Sequence, residues 1–134
     1  MEQRTPEWND ARRGKVTASK VYDVINRTAK GEFYAGRKTY KQTLVAEIIT
    51  QETAVSYTSE AMKWGTEKES EARYAYATTI FDEVFEVGFV DHPRISGSGA
   101  SPDGFVGSDG LVEIKAPNTT TFIDYILSDK IPDN

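Results

Sequence analysis

The sequence predicts an α/β or α+β fold in which a small mixed β-sheet is flanked by helices. Three observations predict it. Up to about residue 80 the apolar residues recur at helical spacing. From Val84 onward they alternate, as in strands. The chain has 134 residues and no cysteine, which suits one domain, 1–134, held by a single hydrophobic core rather than by disulfides.

The elements follow in order. Thr17 is a plausible N-cap for a first helix reaching about Asn26, with Ala18, Val21, Val24 and Ile25 on its apolar face. Thr28 to Lys38 reads as a basic loop, and a second helix runs from about Tyr40 to Thr50 on Tyr40, Leu44, Val45, Ile48 and Ile49. A third helix spans about Ser59 to Ile80. Val84 to Val90 is a first strand, with Phe85, Val87 and Phe89 alternating, and Pro93 ends it. A second strand covers about Gly99 to Val106, and Ser108-Asp109-Gly110 turns the chain into a third, Leu111 to Lys115. A last helix begins at Asn118 or Thr119 with Phe122, Ile123 and Ile126 facing inward.

Composition removes several function classes. Without cysteine there is no zinc-thiolate site or iron–sulfur cluster, and one histidine leaves no His-based triad. No apolar run approaches the roughly 18 residues of a membrane span, and the N-terminal stretch lacks an apolar signal-peptide core, so we expect a cytoplasmic protein without a membrane partner. The net charge of −5 is unevenly spread. Residues 1–41 carry ten Lys/Arg against five Asp/Glu, while 42–134 carry six against sixteen. A basic front and an acidic rear suit a protein that uses cations for phosphate and carboxylates for a metal, and they equally describe one whose faces merely differ.

The chemistry concentrates in Ser101-Pro-Asp-Gly and Leu111-Val-Glu-Ile-Lys. On a strand Glu113 and Lys115 share a face while Val112 and Ile114 turn to the other. The Ser108–Gly110 turn lays the neighbouring strand alongside, bringing Asp103 beside Glu113. Two carboxylates at close range repel unless a cation lies between them, and Mg²⁺ takes such oxygen ligands. The backbone carbonyl of Ile114 is a further candidate ligand. Lys115 would orient or deprotonate an attacking water, or stabilise a developing oxyanion. Read alone, the same residues also describe a half-exposed strand with a surface Glu–Lys pair and an Asp-Gly turn. On the third helix Glu69 shares a face with Gly65, Ala72 and Tyr76, so its carboxylate requires a partner, whereas Glu67 and Glu71 face solvent. Arg12 and the helix start at Thr17–Ser19 make a natural phosphate site, with Arg13 and Lys15 as alternative contacts. Trp8 and Trp64 read as core anchors.

Three blocks resemble a known family. Asp103…Glu113-x-Lys115 is similar to the PD-(D/E)xK nuclease motif, with Pro102 supplying its first letter. Trp8-Asn-Asp-Ala-Arg12-Arg-Gly-Lys-Val-Thr17-Ala-Ser19 and Trp64-Gly-Thr-Glu-Lys-Glu69-Ser-Glu-Ala-Arg73 resemble the opening and the helix of the lambda-exonuclease type, the YqaJ-like viral recombinases. The resemblance implies a restriction-endonuclease-like core. It implies an Mg²⁺- or Mn²⁺-dependent 5′→3′ exonuclease acting on double-stranded DNA ends in phage recombination, within a bacterial host cell. Asp103, Glu113 and the Ile114 carbonyl would bind metal, Glu69 would stand near it, Lys115 would be catalytic, and Arg12 and Ser19 would grip the 5′-phosphate. A single-strand annealing protein and a homotrimeric ring are the partners it implies. Members of the family continue past the position of Asn134 with another helix and more sheet, so the domain reads as truncated at its C-terminus. The alternative function is then an inactive nuclease-fold module that binds DNA or protein.

Overall fold

The computed structural model describes residues 1–54 and 59–129. It is a mixed α/β chain with small sheets flanked by helices, and it divides into two compact units, Met1–Val55 with Glu86–Pro102 and Ser56–Phe85 with Asp103–Asn134.

In the first unit α1 spans Pro6–Arg12, a helix the apolar periodicity did not announce. Local signals build it: Pro6 fixes the first turn, and the Thr5 hydroxyl accepts from Trp8 N at 3.2 Å. β1 (Val16–Thr17) follows, then a 3₁₀ turn (Ala18–Lys20) leading into α2 (Val21–Ile25). Thr17 stands before the turn as expected but makes no side-chain cap, because its hydroxyl is engaged with Ser19 Oγ at 3.2 Å. α3 (Ala35–Thr50) starts five residues earlier than the apolar pattern suggests. β3 (Val90–Asp91) and β4 (Ser98–Ala100) complete a sheet of order β1-β4-β3, parallel at Val16↔Ser98 and antiparallel at Val90↔Ala100.

The second unit begins with α4 (Glu60–Ile80), capped by Ser59 Oγ accepting from Met62 N at 3.2 Å, where the sequence placed it. β2 (Val84–Phe85), β5 (Gly104–Val106) and β6 (Gly110–Val112) form an antiparallel sheet of order β2-β5-β6. The Ser108–Gly110 hairpin is as expected, pairing Val106 with Gly110 and Gly104 with Val112. α5 (Thr119–Ser128) is capped by Asn118 Oδ1 accepting from Thr121 N at 3.0 Å. No helix of the described residues is long and apolar enough to cross a membrane.

Two predicted strands are each broken in two. Val84 to Val90 becomes β2 and β3, and Gly99 to Val106 becomes β4 and β5, the halves lying in different sheets. A side-chain amide explains where the first sheet stops: Gln3 Nε2 donates to Val87 O at 2.8 Å and to Pro102 O at 2.9 Å, so both carbonyls serve Gln3 instead of a ladder. The third strand is also shorter than Leu111 to Lys115, because beyond Val112 the Ile114 N–H turns to a side chain.

The expected apolar core is likewise different. Among the described residues no apolar side chain is buried, and the buried side chains are those of Thr17 and Glu69, each 8% exposed. Phe122, Ile123 and Ile126 share a face of α5 as their spacing requires, yet they are 54%, 48% and 64% exposed, so the inward placement is corrected. Periodicity specifies which residues share a face; it does not supply the element that covers them.

Candidate active site

Five of the site residues expected from sequence lie in the second unit: Glu69, Asp103, Glu113, Ile114 and Lys115. α4 carries Glu69 on its most covered face, with Glu67 and Glu71 exposed to either side as expected. The partner a buried carboxylate needs is Arg73, one turn on, whose Nη2 lies 2.8 Å from Glu69 Oε1. Both side chains are shielded, at 12% and 10% exposure, so the pair is screened less by solvent than a surface ion pair. The same guanidinium reaches further: Arg73 Nε donates to the backbone carbonyl of Asp103 at 2.8 Å.

Asp103 stands in the short link immediately before β5. Gly104, the next residue, is buried, and a Cβ there would come within 2.6 Å of Val84 Cγ1 and 3.0 Å of Val112 Cγ1. The glycine therefore lets the three strands close directly behind the aspartate. Asp103 Oδ2 then accepts from Ile114 N at 2.6 Å, a bond spanning eleven residues of sequence. It takes a backbone donor released at the end of β6 and ties Asp103 to the Glu113-Ile114-Lys115 segment. Glu113 and Lys115 are exposed on one side, with Lys115 Nζ at 2.6 Å from Glu113 Oε1, while Ile114 alternates to a half-buried position. That pair, at 43% and 60% exposure, contributes at most about 1 kcal/mol after solvent screening.

The electrostatics agree with this grouping. The Asp103 carboxyl group is held above the usual carboxylate range, first because burial removes its water. The Ile114 N–H bond pulls it back, Glu113 and Glu69 push it up again, and Lys115 opposes them. Two further carboxylates of the unit thus act on Asp103. Their oxygens match a hard divalent cation such as Mg²⁺ or Mn²⁺ in kind, and such an ion would relieve the repulsion. Among the described residues, however, no three acidic or histidine side chains close around a single ion position: Glu113 engages Lys115 and Glu69 engages Arg73. The donors fit by chemistry and by neighbourhood, and the Glu113 carboxylate would exchange Lys115 for the metal.

Arg12 and Ser19 lie in the first unit, and no hydrogen bond or ion pair of the described residues joins them to each other. Arg12 is half-buried, its guanidinium 3.8 Å from the centroid of the Trp8 ring. Burial holds its pKa below the ordinary arginine value, with Tyr40 and Glu47 pulling the other way. A cation stripped of part of its water and stacked on an aromatic face is suited to an anionic ligand. Of the alternative contacts, Arg13 pairs with Asp10, and Lys15 Nζ lies 2.6 Å from Asp91 Oδ1. Ser19 is exposed, and its hydroxyl partners Thr17.

Several contributors escaped the sequence reading. Arg73 was visible as the i+4 neighbour of a carboxylate expected to be buried, the spacing of a helical ion pair. Trp8 is a hydrogen-bond donor as well as a ring: its Nε1 donates to Ser101 Oγ at 2.9 Å, anchoring the residue two before Asp103. Gln3 had no sequence signal at all. Trp64 is not a core anchor; it is 48% exposed, with Lys68 Nζ 5.1 Å from its ring centroid.

Comparison with known proteins bears on this arrangement. Residues 7–134 match the model of the YqaJ-like viral recombinase domain. No curated protein matches the chain. The fold is similar to the crystal structure of LHK-Exo in complex with dAMP, with a TM-score of 0.80 and 46% identity over 95% of this chain. It is also similar to the structure of the alkaline exonuclease LHK-Exo from Laribacter hongkongensis, with a TM-score of 0.79, 45% identity and 95% of this chain covered. The chain spans 61% of the length of each of these relatives.

Proposed function

The chain belongs to the YqaJ-like viral recombinase family, and from that premise we propose that it is a metal-dependent deoxyribonuclease that degrades double-stranded DNA ends in the 5′→3′ direction. The observation that carries this reading is the 2.6 Å bond from Ile114 N to Asp103 Oδ2, which ties the aspartate of Ser101-Pro-Asp-Gly to the segment bearing Glu113 and Lys115. The family match runs through both units, which supports treating residues 1–134 as one nuclease domain. A relative solved with dAMP supports a nucleotide product.

The reaction adds water across a phosphodiester. The water oxygen bonds to phosphorus, the P–O3′ bond breaks, and the leaving oxygen takes a proton. A mononucleotide with a free 3′-hydroxyl departs, and the shortened strand keeps a 5′-phosphate. Asp103, Glu113 and the Ile114 carbonyl would hold Mg²⁺ or Mn²⁺, with Glu69 supporting it. When bound, the ion supplies positive charge opposite the phosphate oxygens and acidifies a water. Lys115 orients that water, and its ammonium, once no longer committed to Glu113, stabilises the negative charge that develops on the phosphate oxygens. Arg12, desolvated on the Trp8 ring, pairs with the terminal 5′-phosphate, and Ser19 adds a hydroxyl donor. Phage-type recombination in a bacterial cytoplasm, beside a single-strand annealing protein and as a homotrimer, is the setting the family suggests.

The test is digestion of 5′-end-labelled duplex by the pure protein in Mg²⁺ and in Mn²⁺, with Lys115→Ala alongside. Digestion by wild type, at least about 100-fold slower in the variant, is expected when a donor that stabilises developing charge is removed. Absence of digestion in both metals would leave a DNA- or protein-binding module. Nicking of covalently closed circles would replace the end-dependent activity with an endonuclease.

A further inference from the structure

We propose that Arg73 is a positioning residue of this hydrolytic site, one guanidinium that holds the Glu69 carboxylate and the Asp103 backbone carbonyl together. The inference rests on the nuclease reading above and assigns a role to a side chain that reading leaves unused.

The geometry is specific to arginine. Nη2 lies 2.8 Å from Glu69 Oε1, and Nε donates 2.8 Å to Asp103 O. The guanidinium is planar, so two donors on different nitrogens have a fixed separation and direction. Holding both acceptors at once fixes the distance between a turn of α4 and the link before β5. A lysine ammonium presents three donors from one nitrogen and would satisfy one acceptor at the expense of the other. The pairing is also well shielded, with the Arg73 side chain 12% exposed, unlike the exposed Lys68–Glu71 pair on the same helix.

The consequence lies in how the carboxylates meet. Glu69 on α4 and Asp103 in the link before β5 sit on separate elements, and a guanidinium bonded to both holds those elements together. Arg73 pairs with the Glu69 carboxylate and approaches Asp103 from the backbone side, where its carbonyl lies. The Asp103 carboxylate is thereby left to the Ile114 N–H and to a ligand, while Glu69 stays at hand. This is the task of an outer residue in a metal site: it orients the groups that bind without binding itself.

The experiment measures Mn²⁺ affinity by the loss of the free-ion paramagnetic resonance signal, on the whole chain, for wild type, Arg73→Gln, Arg73→Lys, Glu69→Gln and the double variant Glu69→Gln/Arg73→Gln. Lys68→Ala serves as a surface control, and circular dichroism checks folding. The expected result is a loss of affinity of about 10–100-fold in Arg73→Gln, the range seen when supporting residues of metal sites are removed. Arg73→Lys should fall between that variant and wild type. The double variant should lose less than the two single losses combined, because part of what Arg73 does runs through Glu69. In DNA digestion, kcat should drop while KM for duplex ends stays near wild type. Wild-type affinity in folded Arg73→Gln overturns the inference; if that variant does not fold, Arg73→Lys decides by the same readout. A wild-type chain that binds no Mn²⁺ overturns the nuclease reading itself, and the inference with it.

Discussion

Asp103→Asn separates a metal ligand from a structural aspartate. The change removes one negative charge and leaves a side-chain oxygen that can still accept from Ile114 N. In the absence of metal two effects oppose each other. A hydrogen bond to a charged group contributes about 1.5–3 kcal/mol and a neutral one about 0.5–1.5 kcal/mol, so weakening the Ile114 bond costs roughly 1–1.5 kcal/mol. Against this, burial and the neighbouring Glu113 and Glu69 all disfavour the ionised form of Asp103, and the amide relieves that strain. The metal-free variant should therefore unfold within about 1 kcal/mol of wild type.

With Mg²⁺ the two proteins should part. At one hundred times its dissociation constant, a ligand bound only by the folded state stabilises it by about 2.7 kcal/mol. For a chain of this size each kcal/mol moves Tm by roughly 3–5 °C, so wild type should gain on the order of 10 °C. Asp103→Asn should lose most of that gain. The assay is thermal unfolding in chelator and in a Mg²⁺ series, with Asp109→Asn in the exposed Ser108–Gly110 turn as control. A full Mg²⁺-dependent rise in Asp103→Asn would falsify the assignment of Asp103 as a ligand. Equal destabilisation with and without metal would mean that the Ile114 bond is its whole contribution.

Three further outcomes follow from the same geometry. Because the fold raises the Asp103 pKa, the folded chain holds that proton more tightly than the unfolded chain. The associated stability is present below the unfolded aspartate pKa and is lost as pH rises through the folded value. Mg²⁺ competes with that proton, so its effect on Tm should grow over the same rise in pH, and Asp103→Asn should flatten the trend; a pH series of Tm with and without Mg²⁺ checks both. Gly104→Ala should destabilise the β2-β5-β6 sheet by about 1–3 kcal/mol, since the new methyl group meets Val84 and Val112, and denaturant unfolding measures it. Arg12→Ala should abolish the preference for 5′-phosphorylated over 5′-hydroxyl duplex ends, while Trp8→Phe should preserve it: the ring under Arg12 remains, and only the bond to Ser101 Oγ, worth about 0.5–1.5 kcal/mol, is lost. Equal slowing of both end types in Arg12→Ala would show that the arginine is not a phosphate contact.

What the sequence revealed and what it concealed divide along one physical line. Features determined within a few residues were legible. The helix starts near Ser59 and at Asn118 or Thr119 were readable, as were Ser108-Asp109-Gly110 as a hairpin and Glu113 with Lys115 as neighbours on one side, because each depends on local dihedrals and spacing. Alternation also marked Val84 to Val90 and Gly99 to Val106 as extended, and each run has a strand at both of its ends. It could not reveal that each run changes partners midway, because alternation reports the backbone's own pleat and carries nothing about which neighbour it pairs with. Between the two halves of each run a carbonyl, of Val87 and of Pro102, accepts from Gln3, more than eighty residues away in sequence, through an ordinary amide with no distinguishing pattern.

The break between β4 and β5 is also what makes Asp103 useful. In an unbroken strand from Gly99 to Val106, Asp103 would spend its backbone groups on a ladder, and its side chain would alternate with its neighbours. Placed in the link instead, it offers its carbonyl to Arg73 and its carboxylate to Ile114 N, so one residue meets α4 on one side and the Glu113–Lys115 segment on the other. The irregularity that defeated the strand prediction thus coincides with the residue carrying the proposed chemistry. Local pattern and observed structure disagree where a functional group has displaced a regular hydrogen bond. The two buried side chains of the described residues, Thr17 and Glu69, are likewise polar, fall within the family blocks and are each bonded to a specific partner, Ser19 and Arg73.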